Sequence, residues 1–382
     1  MNDLFQILKT RKVVCCVGSG GVGKTTTAAA IGVQGAVAGK RVLVLTIDPA
    51  RRLANSLGLA SLGNRETQIE PAQFRAAGLS PKGTMFAMML DLKLTWDELV
   101  ARTAPSRERA QTILDNRIYQ KLSTAMAGSL EYMAMEKVYE VYESGRYDLI
   151  VLDTPPTSNA LDFLHAPDRI LDLLENDAAR LVLGPLLTAG KIGLKLFSLG
   201  SSYVLKTLAR FTGAEFLKDL AGFMVAFEGM YDGFKERAGK VKALLASKDT
   251  GFVLVTSPNP QVIDEALFFH RALAEEHITP AAVVVNRFER DPRRYGGSET
   301  REGLREALQL ARLPDAGTPP LSERLTATLL EQATLADLDR REVARLHDKL
   351  PGVALLTVPR LRRDVHDLAG LWQIDGYLSG EE

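Results

Sequence analysis

Cysteine is scarce in this sequence. Cys15 and Cys16 are the only two among 382 residues, and they are neighbours. Adjacent residues of a strand point to opposite faces, so the pair cannot join distant segments of the chain. A disulfide framework is therefore excluded, and the low cysteine content is typical of a protein from a reducing compartment.

The sequence also lacks an excess of charge of either sign. It has 47 lysines and arginines against 47 aspartates and glutamates, which gives a formal net charge of zero. A protein without a basic excess does not attract polyanions through its overall field, so any contact with phosphate has to come from a local group of residues. We therefore predict that nucleic acid is not a partner.

Long hydrophobic runs are missing as well, since none approaches the roughly 20 residues that a membrane-spanning helix needs. The most apolar region, 181–210, is interrupted by Lys191, Lys195 and Lys206. Residues 1–11 lack an apolar core followed by a small-residue cleavage site, so they do not indicate a secretory or transit signal. The sequence predicts a cytoplasmic protein that can contact a membrane peripherally but cannot cross it.

Short runs rich in β-branched residues recur between long helical patterns, which predicts buried strands in a largely parallel sheet with helices on both faces. The predicted strands are 13–17, 41–48, 84–91, 148–153, 251–257, 281–288 and 353–359. Two long helical stretches, 96–146 and 166–245, do not fit the alternation. We interpret 1–382 as one α/β domain in which these insertions form a helical subdomain. The segments 290–303 and 313–321 are predicted to be surface loops.

One predicted strand-to-helix junction matches the pattern G-x-x-x-x-G-K-[ST] of phosphate-binding loops. The glycines let backbone N–H groups converge on a triphosphate at the start of the predicted helix 26–38, where the helix dipole also favours anions. Lys24 supplies charge to the β- and γ-phosphates, and the Thr25 hydroxyl is suited to Mg²⁺. A Gly-rich turn without this function would not need Lys and Thr at these places. The residues expected at the nucleotide are Gly20, Gly21, Val22, Gly23, Lys24, Thr25 and Thr26.

Two aspartates end other predicted strands. Asp153 follows an apolar run and occupies a Walker-B type position, where a carboxylate reaches Mg²⁺ directly or through water. Asp48 ends the second strand and begins the segment Asp-Pro-Ala-Arg-Arg. Each could instead be a helix cap or turn residue. Because ligands of α/β sheets bind at the carboxyl ends of the strands, the three motifs together predict a P-loop NTPase.

With these motifs in the same order, the chain resembles the arsenite-pump ATPase (ArsA) family, which also contains the targeting factor for tail-anchored membrane proteins and is related to the dimeric P-loop NTPases MinD and ParA. The resemblance rests on the P-loop, the segment after Asp48, the Asp-Thr-Pro-Pro-Thr segment at 153–157 and the Val-Asn strand end at 285–286. It implies an ATPase that binds ATP and Mg²⁺, dimerises across its nucleotide sites and moves a helical lid.

The resemblance also implies roles for single residues. Asp48 matches the catalytic aspartate that positions and polarises the attacking water, with Lys24 at the phosphates. Asp153 and Thr154 match the start of the segment that senses the γ-phosphate. Asn286 matches the residue that hydrogen-bonds adenine, which favours ATP over GTP, and Pro359 matches the adenine-side loop, with Arg360 beside it.

The sequence departs from the family at Ser19, where members normally carry a lysine that reaches the partner subunit's nucleotide. Serine cannot supply a cation, and a positive charge of this kind is worth roughly 10³ or more in rate. Three alternatives stay open: Arg51 or Arg52 replaces the lysine, a paralogous partner provides it, or hydrolysis is slow. The chain is thus expected to be a homodimer or a heterodimer with a paralogue.

Neither the arsenite-binding thiolates nor the C-x-x-C zinc site found in branches of the family is present, and we predict no zinc and no metalloid site. Cys15 and Cys16 are expected to fill space in the first strand. The histidines show no paired metal spacing; they are His165, His270, His277, His347 and His366.

The region between Asp177 and Glu215 contains no acidic residue, while five basic residues interrupt its apolar sequence. Such a segment can lie on a membrane or line a groove for an apolar helix, although its leucines could equally be ordinary core. Three functions follow: an ATP-driven chaperone or targeting factor for a hydrophobic helix or membrane-protein partner, the energising subunit of an anion pump, or a weakly hydrolysing nucleotide-switched scaffold.

Overall fold

The computed structural model describes residues 4–48, 51–125, 129–154, 230–295 and 301–380. These residues form an eight-stranded sheet in the order β3-β4-β2-β5-β1-β6-β7-β8, in which every neighbouring pair is parallel except β3 and β4. The strands are β1 (Val13–Val17), β2 (Arg41–Thr46), β3 (Thr67–Gln68), β4 (Thr84–Met89), β5 (Leu149–Asp153), β6 (Thr250–Thr256), β7 (Ala282–Phe288) and β8 (Ala354–Pro359).

All seven predicted strands are confirmed. The central strands β1, β5 and β6 are buried along their whole length, which explains why their sequences are continuous apolar runs rather than alternating ones. Two strands were predicted to be two residues too long at the carboxyl end, because β2 ends at Thr46 and β4 ends at Met89. Asp48, which follows β2, lines the functional site, whereas the Leu90 N–H after β4 donates to the Thr46 carbonyl oxygen at 2.9 Å.

Helices cover the sheet, and the first predicted helical insertion, 96–146, corresponds to α5–α8. Of the second, 166–245, the described residues contain α9, and 166–229 lie outside them. The division into one domain with a helical subdomain therefore stays a prediction. The helices are α1 (Leu4–Leu8), α2 (Lys24–Val37), α3 (Arg52–Ser56), α4 (Pro71–Ala76), α5 (Leu92–Thr103), α6 (Arg107–Leu114), α7 (Arg117–Ala125), α8 (Ser129–Glu143), α9 (Tyr231–Leu245), α10 (Pro260–Glu275), α11 (Arg301–Leu310), α12 (Leu321–Lys349) and α13 (Leu368–Leu378).

The sheet separates two apolar cores. On one face Cys15 packs with residues of α5–α10 and α12, and on the other face Cys16 packs with residues of α1–α4 and α13. The two cysteines therefore point to opposite sides, as the sequence predicts. Because both faces of the central strands are covered, those strands meet solvent at their ends.

The loop predicted at 313–321 is confirmed, apart from Leu321, which begins α12. The loop predicted at 290–303 is confirmed at 290–291 and wrong at 292–295 and 301–303. Its first part contains a 3-10 helix, Pro292–Tyr295, beside which Asp291 accepts a hydrogen bond from the Arg293 backbone N–H at 3.0 Å. Its last part is the start of α11. In the described residues, none of the helices combines the length and hydropathy needed to cross a membrane.

Candidate functional site

A cleft of about 460 Å³ lies at the carboxyl end of the sheet. The P-loop and the start of α2 form its floor, and its walls are α3 and four chain segments, at the ends of β2, β5 and β7 and after β8. The residues that line it are Gly21, Gly23, Lys24, Thr25, Thr26, Asp48, Arg52, Asn55, Ser56, Thr154, Arg287, Asp364 and Val365.

The P-loop keeps its shape because glycine stands at two crowded, left-handed positions. Gly18 has φ 146°, and a Cβ there would lie 2.0 Å from the Val255 carbonyl oxygen of β6. Gly23 has φ 102°, and a Cβ there would lie 2.1 Å from Asn286 Nδ2. Larger residues would push the loop off the sheet. Gly20 and Gly21 form the intervening turn, and the Val22 side chain is buried in the core beneath α2.

The start of α2 suits an anion. Gly23 occupies the N-cap position and provides no side-chain hydrogen bond to the N–H groups of the first turn. These groups and the positive end of the helix dipole point into the cleft that Thr25 and Thr26 line. The arrangement is that of a phosphate-binding helix terminus.

Lys24 is almost fully buried, with 6% of its surface exposed, and its Nζ donates to the Ser19 carbonyl oxygen at 2.7 Å. Burial lowers the pKa of Lys24, and Arg52 lowers it further, while Asp153 and Asp48 raise it. Holding an ammonium group out of water costs free energy unless an anion compensates it. The position of Lys24 in the cleft is therefore that of a residue prepared for phosphate.

Asp153 joins three elements beneath the cleft. Its Oδ2 accepts hydrogen bonds from Thr25 Oγ1 of α2 and Thr46 Oγ1 of β2, both at 2.8 Å. Its Oδ1 is buried, and within the described residues it has no hydrogen-bond partner. Burial raises the pKa of Asp153 to about 6, against the lowering by the two hydroxyls and Lys24.

This geometry fits a magnesium ion. A hydroxyl and a carboxylate are hard oxygen ligands of the kind that Mg²⁺ prefers. An ionised, buried carboxylate oxygen without a donor is costly, and a cation next to it would remove that cost. Thr25 and Asp153 are the residues that would hold the ion.

Asp48 lies on the wall opposite the P-loop. Its carboxylate is 14% exposed and stands 3.4 Å from the Nε of Arg52, while its backbone N–H donates to Thr46 Oγ1 at 3.2 Å. Arg52 lines the cleft, whereas the exposed Arg51 does not belong to the lining and has a left-handed backbone with φ 55°. Of the two arginines proposed from the sequence, Arg52 is the one that the fold brings to the site.

Other predicted residues surround the cleft at different depths. Thr154 lines it, and its hydroxyl donates to the Cys16 carbonyl oxygen at 2.8 Å. Asn286 donates from Nδ2 to the Val22 carbonyl oxygen at 2.8 Å, so it fixes the P-loop backbone and is not among the lining residues. Pro359 ends β8 behind the cleft, where Arg360 Nε pairs with Glu289 at 2.6 Å. Contacts of Asn286 and Pro359 with adenine stay predictions.

Ser19 does not approach the cleft with its side chain. Its hydroxyl donates to Glu265 Oε2 on α10, which ties the P-loop to the helix that follows β6. A carboxylate thus stands beside the position where the family carries its additional lysine. Among the described residues, Arg52 and Arg287 are the arginines that line the cleft.

Five of the lining residues are not predicted from the sequence. Asn55 and Ser56 belong to the short helix α3, Arg287 lies at the carboxyl end of β7, and Asp364 and Val365 come from the chain after β8. None belongs to a motif. The one signal that the sequence offers is position at the carboxyl end of a strand, which applies to Arg287, whose φ is 62°, but not to Asp364.

The two thiols have no part in the cleft. Burial raises the pKa of Cys15 to about 12 and raises the pKa of Cys16, with the Asp153 carboxylate adding to the second effect. Both are fully buried. The part of the chain that the structure describes has no group of three His, Cys, Asp or Glu residues that could hold a metal ion. The absence of zinc in the whole chain stays a prediction.

Comparison with known proteins agrees with this geometry. The chain is 30% identical over 159 residues to the ATPase GET3 of Malassezia globosa, covering 42% of this chain and 43% of the relative. It is 26% identical over 304 residues to the ATPase GET3C of Arabidopsis thaliana, covering 75% and 68%. It is 28% identical over 160 residues to the ATPase ASNA1 homolog 1 of Paramecium tetraurelia, covering 42% and 45%. The matches to the fungal and ciliate relatives thus span less than half of their length.

A family model described as "Anion-transporting ATPase" matches residues 11–297. This range includes the P-loop, Asp48, Asp153 and Asn286, and it ends shortly after β7. Since the match extends over most of the chain and contains the residues that build the floor of the cleft, the protein belongs to the ArsA family of anion-transporting ATPases.

Proposed function

We propose that the chain is a Mg²⁺-dependent ATPase in which Lys24 and the start of α2 bind the phosphates of ATP, Thr25 and Asp153 hold the metal, and Asp48 positions the attacking water. The observation that carries the proposal is the buried Oδ1 of Asp153 beneath the cleft, which has no partner among the described residues and lies near a buried Lys24. Both groups are costly in the empty site and useful in a loaded one.

The chemistry required of the residues is mainly positioning and charge stabilisation. Bound Mg²⁺ would neutralise charge on the phosphate oxygens. Asp48, whose carboxylate faces the cleft beside Arg52, would accept a hydrogen bond from the water and orient it. Arg52, which lines the cleft beside Asp48, would contribute a cation and is the better candidate to compensate for Ser19.

Replacing Asp48 tests the catalytic part of the proposal. In Asp48→Asn the amide keeps the shape but loses the negative charge, and we expect ATP turnover to fall by about 10² to 10⁴, the range of general acid–base contributions. Binding of a fluorescent ATP analogue should stay within about threefold of the wild type. Asp348→Asn, on an 82% exposed side chain of α12, is the matched control. Equal turnover in Asp48→Asn and the control would refute the assignment.

The biological output that the family resemblance favours is a cytoplasmic chaperone or targeting factor. ATP binding and hydrolysis would close and open a dimer and move its helical layer around a hydrophobic helix or membrane-associated client. The second helical insertion, which would provide the client surface, lies mostly outside the described residues. Capture of an apolar helix that depends on ATP supports this function, and capture that ignores nucleotide contradicts it.

A second candidate is the energising subunit of an anion pump, and the description of the matching family favours it. Stimulation of turnover by an oxyanion such as arsenite would support this candidate over the first.

The contact between Ser19 and Glu265 favours a third candidate, a slow nucleotide-switched scaffold. Turnover and mass of the purified protein, measured with and without a paralogue that carries the family lysine, distinguish it. Complete dimerisation and fast turnover of the protein alone would exclude both the scaffold and the obligate heterodimer.

A further inference from the structure

Basic side chains collect at the amino ends of five adjacent strands, β4-β2-β5-β1-β6, opposite the nucleotide cleft. Each lies within four residues before its strand or at the strand's first position. The carboxylates in the same short segments are Asp148 and Asp249. We call this group the basic face, and its members are Lys9, Arg11, Lys12, Lys40, Arg41, Lys82, Arg146 and Lys248.

The backbone makes these residues one continuous surface. Lys40 Nζ donates to the Lys9 carbonyl oxygen at 3.1 Å, and the N–H of Thr84, two residues after Lys82, donates to the Lys40 carbonyl oxygen at 3.1 Å. On the other side, an Arg11 guanidinium N–H donates to the Lys248 carbonyl oxygen. The basic face therefore runs from the start of β4 to the start of β6.

The two carboxylates of this region are already engaged. Asp148 Oδ2 accepts the backbone N–H of Arg41 at 2.8 Å. Asp249 Oδ2 accepts the Tyr142 hydroxyl at 2.6 Å and lies 3.5 Å from Lys12 Nζ. Lys12 is thus partly neutralised, while Lys9, Lys82 and Lys248 remain exposed cations.

Aromatic rings hold several of the cations in place. Lys40 Nζ lies 5.5 Å from the Phe5 ring centroid, and Lys12 Nζ lies 5.7 Å from that of Tyr142. The Arg41 guanidinium is 5.2 Å from the Phe86 ring and 5.3 Å from the Tyr147 ring. Cation–π contacts restrict these side chains before any partner arrives, which reduces the entropy lost on binding.

The basic face is broad and remote from the cleft. Five strands at about 4.8 Å spacing extend over about 19 Å, and a five-residue strand such as β1 separates the two ends of the sheet by about 17 Å. Since charges in solution are screened over about 8 Å at physiological salt, an anion at the basic face does not compete for the groups that bind phosphate in the cleft.

We propose that the basic face is a docking surface for an anionic membrane, which it contacts by electrostatic adsorption without insertion. Apolar anchors are not part of it. Within the described residues, the large apolar side chains that are strongly exposed belong to α5, α10, α11, α12 and the loop between the last two. A protein interface is normally built around an apolar or aromatic centre, whereas a lipid surface needs only a spread of cations.

RNA fits the same surface less well. Single-stranded nucleic acid is held by bases stacked on exposed aromatic rings. The rings of the basic face lie against its own cations, and Tyr147 is only 7% exposed. A membrane bound here would leave the opposite, nucleotide-binding end of the sheet facing away from the lipid.

The test is co-sedimentation of the full chain with vesicles of roughly 70% phosphatidylcholine and 30% phosphatidylserine at about 0.1 M NaCl, where exposed charges still act over about 10 Å. The test variant changes Lys9, Lys82 and Lys248 to Gln, and the control variant changes the equally exposed Arg312, Arg324 and Arg341 of the α11–α12 region to Gln. Circular dichroism and ATP turnover confirm that both variants are folded.

We expect the test variant to lose about 100-fold in partition coefficient, because each cation near an anionic membrane strengthens binding by roughly fivefold. The control variant should bind within about threefold of the wild type, because none of its three arginines belongs to the basic face. Binding should disappear at about 0.5 M NaCl and on pure phosphatidylcholine. Equal binding of test and control variants, or no wild-type binding to the charged vesicles, overturns the proposal. It is also overturned if a labelled single-stranded RNA binds through the same lysines and the vesicles do not.

Discussion

At the carboxyl ends of β1, β2 and β5 the charged groups are few and mostly buried, whereas at the amino ends of the same strands they are numerous and mostly exposed. Lys24 and Asp153 are 6% and 1% exposed, while the Lys12 side chain is 59% exposed. Buried charges interact strongly and are costly to leave uncompensated. Exposed charges contribute little singly and add up only as a group.

The two ends of one sheet therefore suit different kinds of function. A site for chemistry needs a few groups in fixed positions away from water, and the P-loop, β2 and β5 provide them through direct hydrogen bonds. A surface for adsorption needs only charge density. Single substitutions should therefore abolish function at the first end and only weaken it at the second.

The largest effect is expected for Lys24→Met. Methionine retains much of the side-chain volume and removes the charge, so ATP turnover should fall on the order of 10³-fold or more, the scale found for cations at a transferring phosphoryl group. A phosphate-release assay measures it. Thermal unfolding should show no loss of stability, because the variant no longer buries an ammonium group. Turnover within about tenfold of the wild type would contradict the role of Lys24.

Asp153→Asn separates the functional cost from the stability cost. The amide is a poor magnesium ligand, so we expect turnover to fall about 100-fold, with a higher Mg²⁺ requirement. Without Mg²⁺ at about pH 7.5, the free energy of unfolding of the variant should exceed that of the wild type by on the order of 1 kcal/mol. The reason is that burial raises the pKa of Asp153 to about 6, so its charged form is disfavoured in the folded state.

The contribution of Asp153 to stability should depend on pH. A raised pKa means that the folded protein binds the proton more tightly, so wild-type stability from this group increases as pH falls through about 6 and is complete below the ordinary value of 3.8. The difference between Asp153→Asn and wild type should shrink accordingly between about pH 7.5 and 5, by denaturant unfolding in EDTA. A difference that grows as pH falls would contradict the burial argument.

The smallest effect is expected at the amino end, for Tyr142→Phe. The Tyr142 hydroxyl, followed by Lys12, holds the pKa of Asp249 below its usual value. Removing the hydroxyl should lower stability at neutral pH by about 0.5 kcal/mol or less, because the carboxylate is partly exposed. A carboxyl with a lowered pKa stabilises the folded protein at pH values above its ordinary pKa of 3.8. The stability difference between wild type and Tyr142→Phe should therefore vanish as pH falls below that value. Tyr139→Phe, whose hydroxyl bonds Glu143 instead, is the matched control.

Most strands of the sheet could be predicted from the sequence, because the central strands are buried on both faces. A short, continuous β-branched run such as that of β6, bounded by turn residues, strongly favours a buried strand over a helix. The edge strand β3 was missed, since two residues, Thr67 and Gln68, carry no pattern. The 3-10 helix Pro292–Tyr295 has no signal in the sequence, because Arg293 pairs with Asp337 and Asp291 with Arg340 only in the folded chain.

For the candidate site, residues within motifs could be predicted and residues brought in by folding could not. Lys24, Thr25, Asp48 and Asp153 come together as expected. Asp364 and Asn55 reach the cleft only because α3 and the chain after β8 pass it, and neither has a local signal. The basic face has no signal in the sequence for a related reason, because its residues come from strand starts scattered over a chain whose total charge is zero.

The burial of the two cysteines on opposite faces of β1 has a practical consequence for labelling. Cys15 and Cys16 are fully buried, and burial keeps both thiols protonated at neutral pH. Maleimides and methanethiosulfonates react with accessible thiolate, so the native cysteines should not react with these reagents. A single cysteine introduced on the protein surface can therefore carry a fluorophore or spin label without a cysteine-free background. Two such labels would report nucleotide-dependent distance changes in a chain whose packing has not been altered.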